Sequence, residues 1–311
     1  MTQSSDPAGG DRVRSARSSI GPVGFHLPTV GAMKRFPMAM QVDAVRRLER
    51  AGYKAAWNGE GIGGKDGLVE LAVLLGATER MTFGTSVANM WARPAETAHG
   101  ASALLADAFP GRFVLGLGPG YPFHAEMLGH TYDRPLARLR EYLERMTASE
   151  ADAAYPRIIA ANGPKMLKLA GEIADGAQPT VVPAEYTAAA RATLGAGKLL
   201  VIGLPVVPDA DKQRARETAR RLAAASFGRP DSPYAANLVR LGYPAEDVAA
   251  GAGHVVDAII AHGGRDAITA KVQEHLAAGA DHVMLTPMTG DYGSGVEQLE
   301  WLAPAITELA R

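Results

Sequence analysis

The sequence predicts an α/β domain closed as a (β/α)8 TIM barrel, with a helical insertion before the last strand. Three observations lead there. Short β-branched and apolar runs alternate with helical stretches from about Ile20 to Leu309, and eight of those runs read as strands. Helical connections between consecutive strands imply a parallel sheet, because a parallel pair needs a crossover. One interval, from about Pro208 to Gly253, breaks the alternation with helices only, as an insertion capping one end would. An open doubly wound sheet is the structural alternative. In either arrangement ligands sit beyond the C-terminal ends of the strands.

Met1 to Ser19 is rich in Ser, Gly and Arg with almost nothing to bury, so it is expected to be a mobile tail outside the 20–311 domain. Ile20 to Leu27 reads as the first strand. Pro37 to Gly52 follows as an amphipathic helix, its apolar Met40, Val45 and Leu48 near helical spacing. Lys54 to Trp57 is a second strand, the glycine-rich Asn58 to Gly64 a loop, and Asp66 to Thr78 a helix. Met81 to Val87 is a third strand ending in a polar loop, after which Arg93-Pro94 opens a helix through Ala108, with proline suited to the first turn. Arg112 to Leu117 is a fourth strand running into Gly118-Pro119-Gly120-Tyr121-Pro122. Strands at Arg157 to Ala161, Gly176 to Val182 and Lys198 to Leu204 alternate with helices at Arg134 to Met146, Lys165 to Ala174 and Ala184 to Leu194. The insertion holds helices at Asp211 to Ala225 and Tyr234 to Leu241. A helix at Arg265 to Ala278, the last strand Asp281 to Thr286 and a closing helix Gly295 to Leu309 complete the chain.

Composition narrows the function. A formal net charge of -1 with interleaved signs gives no basic stripe for nucleic acid and no polybasic patch for a membrane, so small-molecule ligands are expected. No apolar run approaches the ~18 residues that span a bilayer. With Cys 0, disulfides, thiolate metal sites and cysteine nucleophiles are excluded, in accord with a reducing cytoplasm, and no signal-peptide core supports export.

Ser86, Val87 and Asn89 follow the third strand, where an ordinary connecting loop would also lie. Gly116-Leu117-Gly118-Pro119-Gly120 follows a strand but fails the dinucleotide fingerprint, whose third glycine would fall at Tyr121. Gly118 and Gly120 more simply let backbone approach a ligand closely. Asn162-Gly163-Pro164-Lys165 offers a glycine turn at a helix N-terminus with an adjacent positive charge, which suits a phosphate or serves as a plain turn. His26 and His124 both lie at strand ends and could give a proton; either could equally be structural. No histidine pair has zinc spacing, so no metal is expected, and no G-x-S-x-G elbow or P-loop supports a hydrolase or NTPase.

Taken in order, Trp57-Asn-Gly-Glu60, Gly84-Thr-Ser-Val-Ala-Asn-Met-Trp-Ala-Arg-Pro94, Gly111-Arg-Phe-Val-Leu-Gly-Leu-Gly118, Tyr132-Asp-Arg-Pro135, Gly163-Pro-Lys-Met-Leu-Lys-Leu-Ala170 and Ala278-Gly-Ala-Asp-His-Val283 resemble the bacterial luciferase-like superfamily. The branch they most resemble is that of the coenzyme F420-dependent oxidoreductases. The resemblance implies a TIM barrel, a homodimer and hydride transfer between a deazaflavin and a small organic substrate. It implies a non-prolyl cis peptide at Ser86-Val87 supporting the cofactor ring, contact at Asn89, and phosphate binding by Gly163-Pro164-Lys165. Glu60 matches an acidic or histidine position at the active-site mouth. Close relatives often carry a polar residue and then histidine after Gly118, whereas this chain has Pro119-Gly120-Tyr121, leaving Tyr121 or His124 as substitute proton donors. FMN with monooxygenase or reductase chemistry is the alternative cofactor, and a cofactor-binding paralogue without turnover the alternative class.

Overall fold

The computed structural model describes residues 7–28, 36–149, 153–229 and 232–310. The chain begins with α1 (Pro7–Ile20), followed by β1 (Val23–His26), α2 (Met38–Arg50), β2 (Ala55–Asn58), α3 (Gly67–Ala77) and β3 (Thr82–Thr85). A two-residue β4 (Ala88–Asn89), α4 (Ala95–Ala108), β5 (Phe113–Gly118), α5 (Pro122–Met127), α6 (Pro135–Thr147) and β6 (Arg157–Ala160) come next. Then follow α7 (Pro164–Ile173), β7 (Gly176–Gln178), α8 (Ala184–Leu194) and β8 (Leu199–Pro208). The insertion contains α9 (Lys212–Ser226), α10 (Pro233–Arg240), α11 (Ala245–Ala250) and α12 (Gly253–Ile259). The chain closes with β9 (Ala261–Gly263), α13 (Arg265–Ala277), β10 (His282–Pro287) and α14 (Tyr292–Ile306).

Among the described residues, eight parallel strands close on themselves in the order β10-β1-β2-β3-β5-β6-β7-β8, and β8 pairs back with β10. Register is continuous through the closure, from His282↔Val201 to Pro287↔Val206 on one side of β10 and from Val23↔Val283 on the other. The expected barrel is therefore the observed one. The helical insertion precedes the last strand as expected, but its helices run from Lys212 to Ile259, past the expected end at Gly253, and β8 runs on past the ring to pair with the short β9.

Two apolar layers hold the ring. Outside, helix faces such as Leu71, Leu74 and Leu75 of α3 pack on strand residues such as Phe83 and Leu115. Local sequence sets these helices in place: Asp66 caps α3 by accepting from the Leu68 and Val69 backbone N–H groups, each at 3.0 Å. Inside, Ala55, Trp57, Val114, Ile158, Leu199, Val201 and Met284 fill the lumen. The Trp57 ring takes space that only glycine leaves at position 84, where a Cβ would lie 2.2 Å from the ring. Its Nε1 donates to His282 Nε2 at 3.0 Å, and the other nitrogen of His282 donates to the Gly21 carbonyl at 2.7 Å. That pattern fixes the neutral tautomer, and burial pushes the pKa down to about 4.

Of the stretch 1–19 expected to be a mobile arm, residues 1–6 lie outside the described residues, but the remainder belongs to α1. Val13, Ala16 and Ile20 on this helix are buried against the lumen residues, so α1 plugs the N-terminal end of the barrel. Arg17 pins it by donating to Asp281 at 2.8 Å.

Candidate active site

At the opposite end, β3 stops at Thr85, the Ser86–Val87 peptide is cis, and the chain resumes pairing as β4, with Ala88↔Leu117 and Asn89↔Gly118. The bulge faces into the ring. A Cβ at Gly118 would lie 2.7 Å from Val87 Cγ2 and 3.3 Å from Ala160 Cβ. Gly118 thus makes room first for Val87 of the chain itself, a role the sequence reading gave to a ligand.

Glu60, expected as a catalytic residue at the active-site mouth, is bound into the scaffold. Its side chain is 2 % exposed and pairs with Arg93, which also reaches Asp66 at 2.8 Å. One carboxylate oxygen accepts the Asn89 backbone N–H at 2.7 Å. Burial works against the Arg93 charge, yet the bonds to Glu60 and Asp66 outweigh it and hold its pKa above the ordinary arginine value. The ion pair therefore fixes the backbone of Asn89.

Asn89 in turn orients His124. Its Nδ2 donates to His124 Nδ1 at 3.1 Å, and the Tyr121 N–H donates to the same nitrogen at 3.3 Å. Two donors on Nδ1 leave Nε2 carrying the proton. Burial lowers the His124 pKa, opposed by the Glu60 charge, so the ring is neutral at physiological pH with one defined N–H. Gly120 lies beneath this pair at φ +59, where a Cβ would sit 2.5 Å from Asn89 Nδ2 and 2.8 Å from His124 Nδ1. Trp91 closes the loop by donating from Nε1 to the Pro119 carbonyl at 2.8 Å.

The other expected residues divide. His26 lies beside the bulge: a Cβ on Gly59 would be 3.6 Å from His26 Nε2 and 3.5 Å from the Ser86 carbonyl. Burial takes its pKa to about 4, and its Nδ1–H is committed to the Leu27 carbonyl at 2.7 Å, so it supports the bulge as a neutral ring. Tyr121 donates its hydroxyl to Tyr234 of α10 at 3.2 Å. Asn162, expected to contact a cofactor, spends its side chain on Thr180: Nδ2 donates to the Thr180 carbonyl and Oδ1 accepts the Thr180 N–H, both at 2.9 Å. Gly163 caps α7 without a side-chain hydrogen bond, and a Cβ there would meet nothing within 4 Å. Pro164 occupies the first turn and Lys165 is exposed beside it. Free first-turn N–H groups, an open approach and a nearby ammonium fit a phosphate. Arg93 and Tyr234 were missed as site residues. Arg93 stands in the Trp91-Ala-Arg-Pro94 motif, whereas nothing in the sequence pairs Tyr234 with Tyr121.

The site is thus a polar cluster over the C-terminal mouth of a (β/α)8 barrel, with the Val87 bulge, the His124 imidazole and the open N-terminus of α7 around it. The luciferase-like monooxygenase family profile matches residues 22–282, well over half the chain, and the protein belongs to this family. Over 161 residues it is 30% identical to a 5,10-methylenetetrahydromethanopterin reductase of Methanolobus tindarius, a match covering 45% of this chain and 49% of the relative. The chain thus spans about half the length of that curated relative. In fold it is similar to the coenzyme F420-dependent tetrahydromethanopterin reductase of Methanopyrus kandleri, with TM-score 0.70, 20% identity, and coverage of 91% of this chain and 99% of the other. It is also similar to the oxygenating constituent of 3,6-diketocamphane monooxygenase from Pseudomonas putida in complex with FMN, with TM-score 0.71, 14% identity and coverage of 94% and 98%. At these identities the structural likenesses establish the fold alone.

Proposed function

We propose that the protein is a coenzyme F420-dependent oxidoreductase that moves a hydride between the deazaflavin and a small organic substrate. The observation that carries this reading is the His124 imidazole, neutral and held with Nε2–H free of its scaffold bonds, over the same mouth as the Val87 bulge and the phosphate-compatible α7 terminus. A bound deazaflavin would supply or accept the hydride at a ring carbon. Val87 would support one face of the ring, the α7 N-terminus with Lys165 would hold the phosphate, and His124 Nε2 would give or take the accompanying proton. Glu60 and Arg93 act through Asn89, by holding the backbone that aims this imidazole. The description of one fold relative as a coenzyme F420-dependent reductase supports the choice of cofactor.

FMN is the second reading, because the same bulge and phosphate seat accommodate either tricyclic ring and a fold relative is described with FMN. The two differ in oxygen reactivity. The test is to mix the protein with each reduced cofactor under air and with a panel of carbonyl and imine acceptors. The proposal expects acceptor-dependent reoxidation of F420 with little oxygen dependence. Oxygen-dependent substrate oxidation with FMN alone would transfer the assignment to a monooxygenase.

A further inference from the structure

The Tyr121–Tyr234 hydrogen bond joins two distant parts of the barrel. Tyr121 follows β5, whereas Tyr234 belongs to the insertion that leaves after β8 and returns before β10. In the eight-strand ring β5 and β8 stand three places apart, so the bond runs as a chord over the mouth. Both ends are anchored. Phe227 meets the Tyr234 ring edge-on at 5.6 Å and 72°, while the neighbouring Ala235 and Leu238 are buried in the insertion's own apolar core with Val181 and Val207. Tyr121 stacks on Phe123 at 5.6 Å and 7°, and Tyr132 donates to the Gly120 carbonyl at 3.3 Å. A second tie from α10, Arg240 to the Asn162 carbonyl at 3.3 Å, holds the insertion to the phosphate side.

We infer that Tyr234 is a positioning residue: through Tyr121 it holds the turn whose backbone N–H fixes His124, so docking of the insertion over the mouth and setting of the imidazole are one event. The chain of contacts is short. Tyr234 Oη accepts from Tyr121 Oη, the Tyr121 N–H donates to His124 Nδ1, and Asn89 supplies the second donor to that nitrogen. The charged and titratable groups around this chain are Glu60, paired with Arg93, together with Tyr121 and Tyr132. The catalytic meaning of the coupling rests on the proton-donor reading of His124; the coupling itself does not.

The test uses free protein labelled with 15N at histidine, comparing wild type, Tyr234→Phe, Tyr121→Phe and the double variant, with His124 assigned through His124→Gln. In wild type His124 is expected to titrate below the ordinary ~6.5 and to show the Nε2–H tautomer. Tyr234→Phe should raise that midpoint by about half a pH unit or more and average the tautomer signals. Hydrogen exchange across residues 233–240 should quicken about threefold or more, as loss of one hydrogen bond allows. Tyr121→Phe should do the same and the double variant no more, since all three delete one bond. A purely structural Tyr234 would speed exchange through the insertion and leave His124 unmoved. Unchanged His124 signals in a folded Tyr234→Phe, or additive effects in the double variant, would overturn the inference. Should Tyr234→Phe not fold, Tyr121→Phe removes the same bond from the other side. Failure of wild type to bind any deazaflavin or flavin would instead defeat the proposed function, since the histidine measurement needs no cofactor.

Discussion

Adding a methyl group at Gly120 would place it between Asn89 and His124, at 2.5 Å and 2.8 Å from their facing nitrogens, on backbone at φ +59 that L side chains rarely adopt. Gly120→Ala is therefore expected to separate the pair and cost about 1–2 kcal/mol, checked by urea denaturation beside the histidine spectrum. Arg93→Met should be more damaging. It leaves the Glu60 carboxylate buried at 2 % exposure without its partner, an expected loss of about 3 kcal/mol in the same assay. At this scale the cis peptide expected at Ser86-Val87 is observed, whereas Gly118 and Gly120, expected to let backbone approach a ligand, make room for Val87 and for Asn89 and His124 of the chain itself. The sequence was not legible where a polar side chain could serve either a ligand or its own scaffold. Asn162 faced that choice and went to the Thr180 backbone, Glu60 to Arg93 and Asn89, and a one-dimensional string does not show which partner arrives.

Among the elements, α1 is the one whose sequence hides its function. Only Val13, Ala16 and Ile20 provide an apolar stripe in a segment otherwise rich in Arg, Ser and Gly, and three residues at helical spacing look like chance until a barrel end needs covering. Ile20→Ala should then cost about 2–4 kcal/mol, because Ile20 is fully buried against the lumen, with thermal unfolding as the check. The strands were readable because both faces of a parallel barrel strand are buried, which leaves near-continuous apolar runs. β4 and β9 were not, at two and three residues each. At α7, Lys165→Glu replaces a charge favourable to phosphate by a repulsive one while leaving an exposed position on the fold. Cofactor affinity should fall several-fold at low salt with no change in melting temperature; unchanged affinity would remove Lys165 from the seat.

For the molecule as a whole, His26, His275 and His282 are buried neutral with pKa values of about 4, chiefly through desolvation. The unfolded chain takes up protons at these groups near 6.5 while the folded chain does not, so folding stability is full above that pH and falls as pH drops toward 4. Each histidine contributes up to ~3 kcal/mol of that loss, so urea midpoints should decline steadily between pH 7 and 4. A flat profile would mean that these rings are hydrated in solution. The homodimer implied by the family resemblance is a further proposal, supported by exposed Val69 and Val73 on α3 and Leu104 on α4, and light scattering should give twice the chain mass.

The central claim is that the Val87 bulge and the α7 phosphate seat serve a deazaflavin, with His124 beside it as the proton-transfer group. Equilibrium titration of the purified protein with oxidised F420 and with FMN, in one buffer at one salt concentration, tests this most directly. The account expects F420 to bind at least about tenfold more tightly, a difference of ~1.4 kcal/mol. Equal or tighter binding of FMN would contradict it and make the protein a flavin enzyme of the same family.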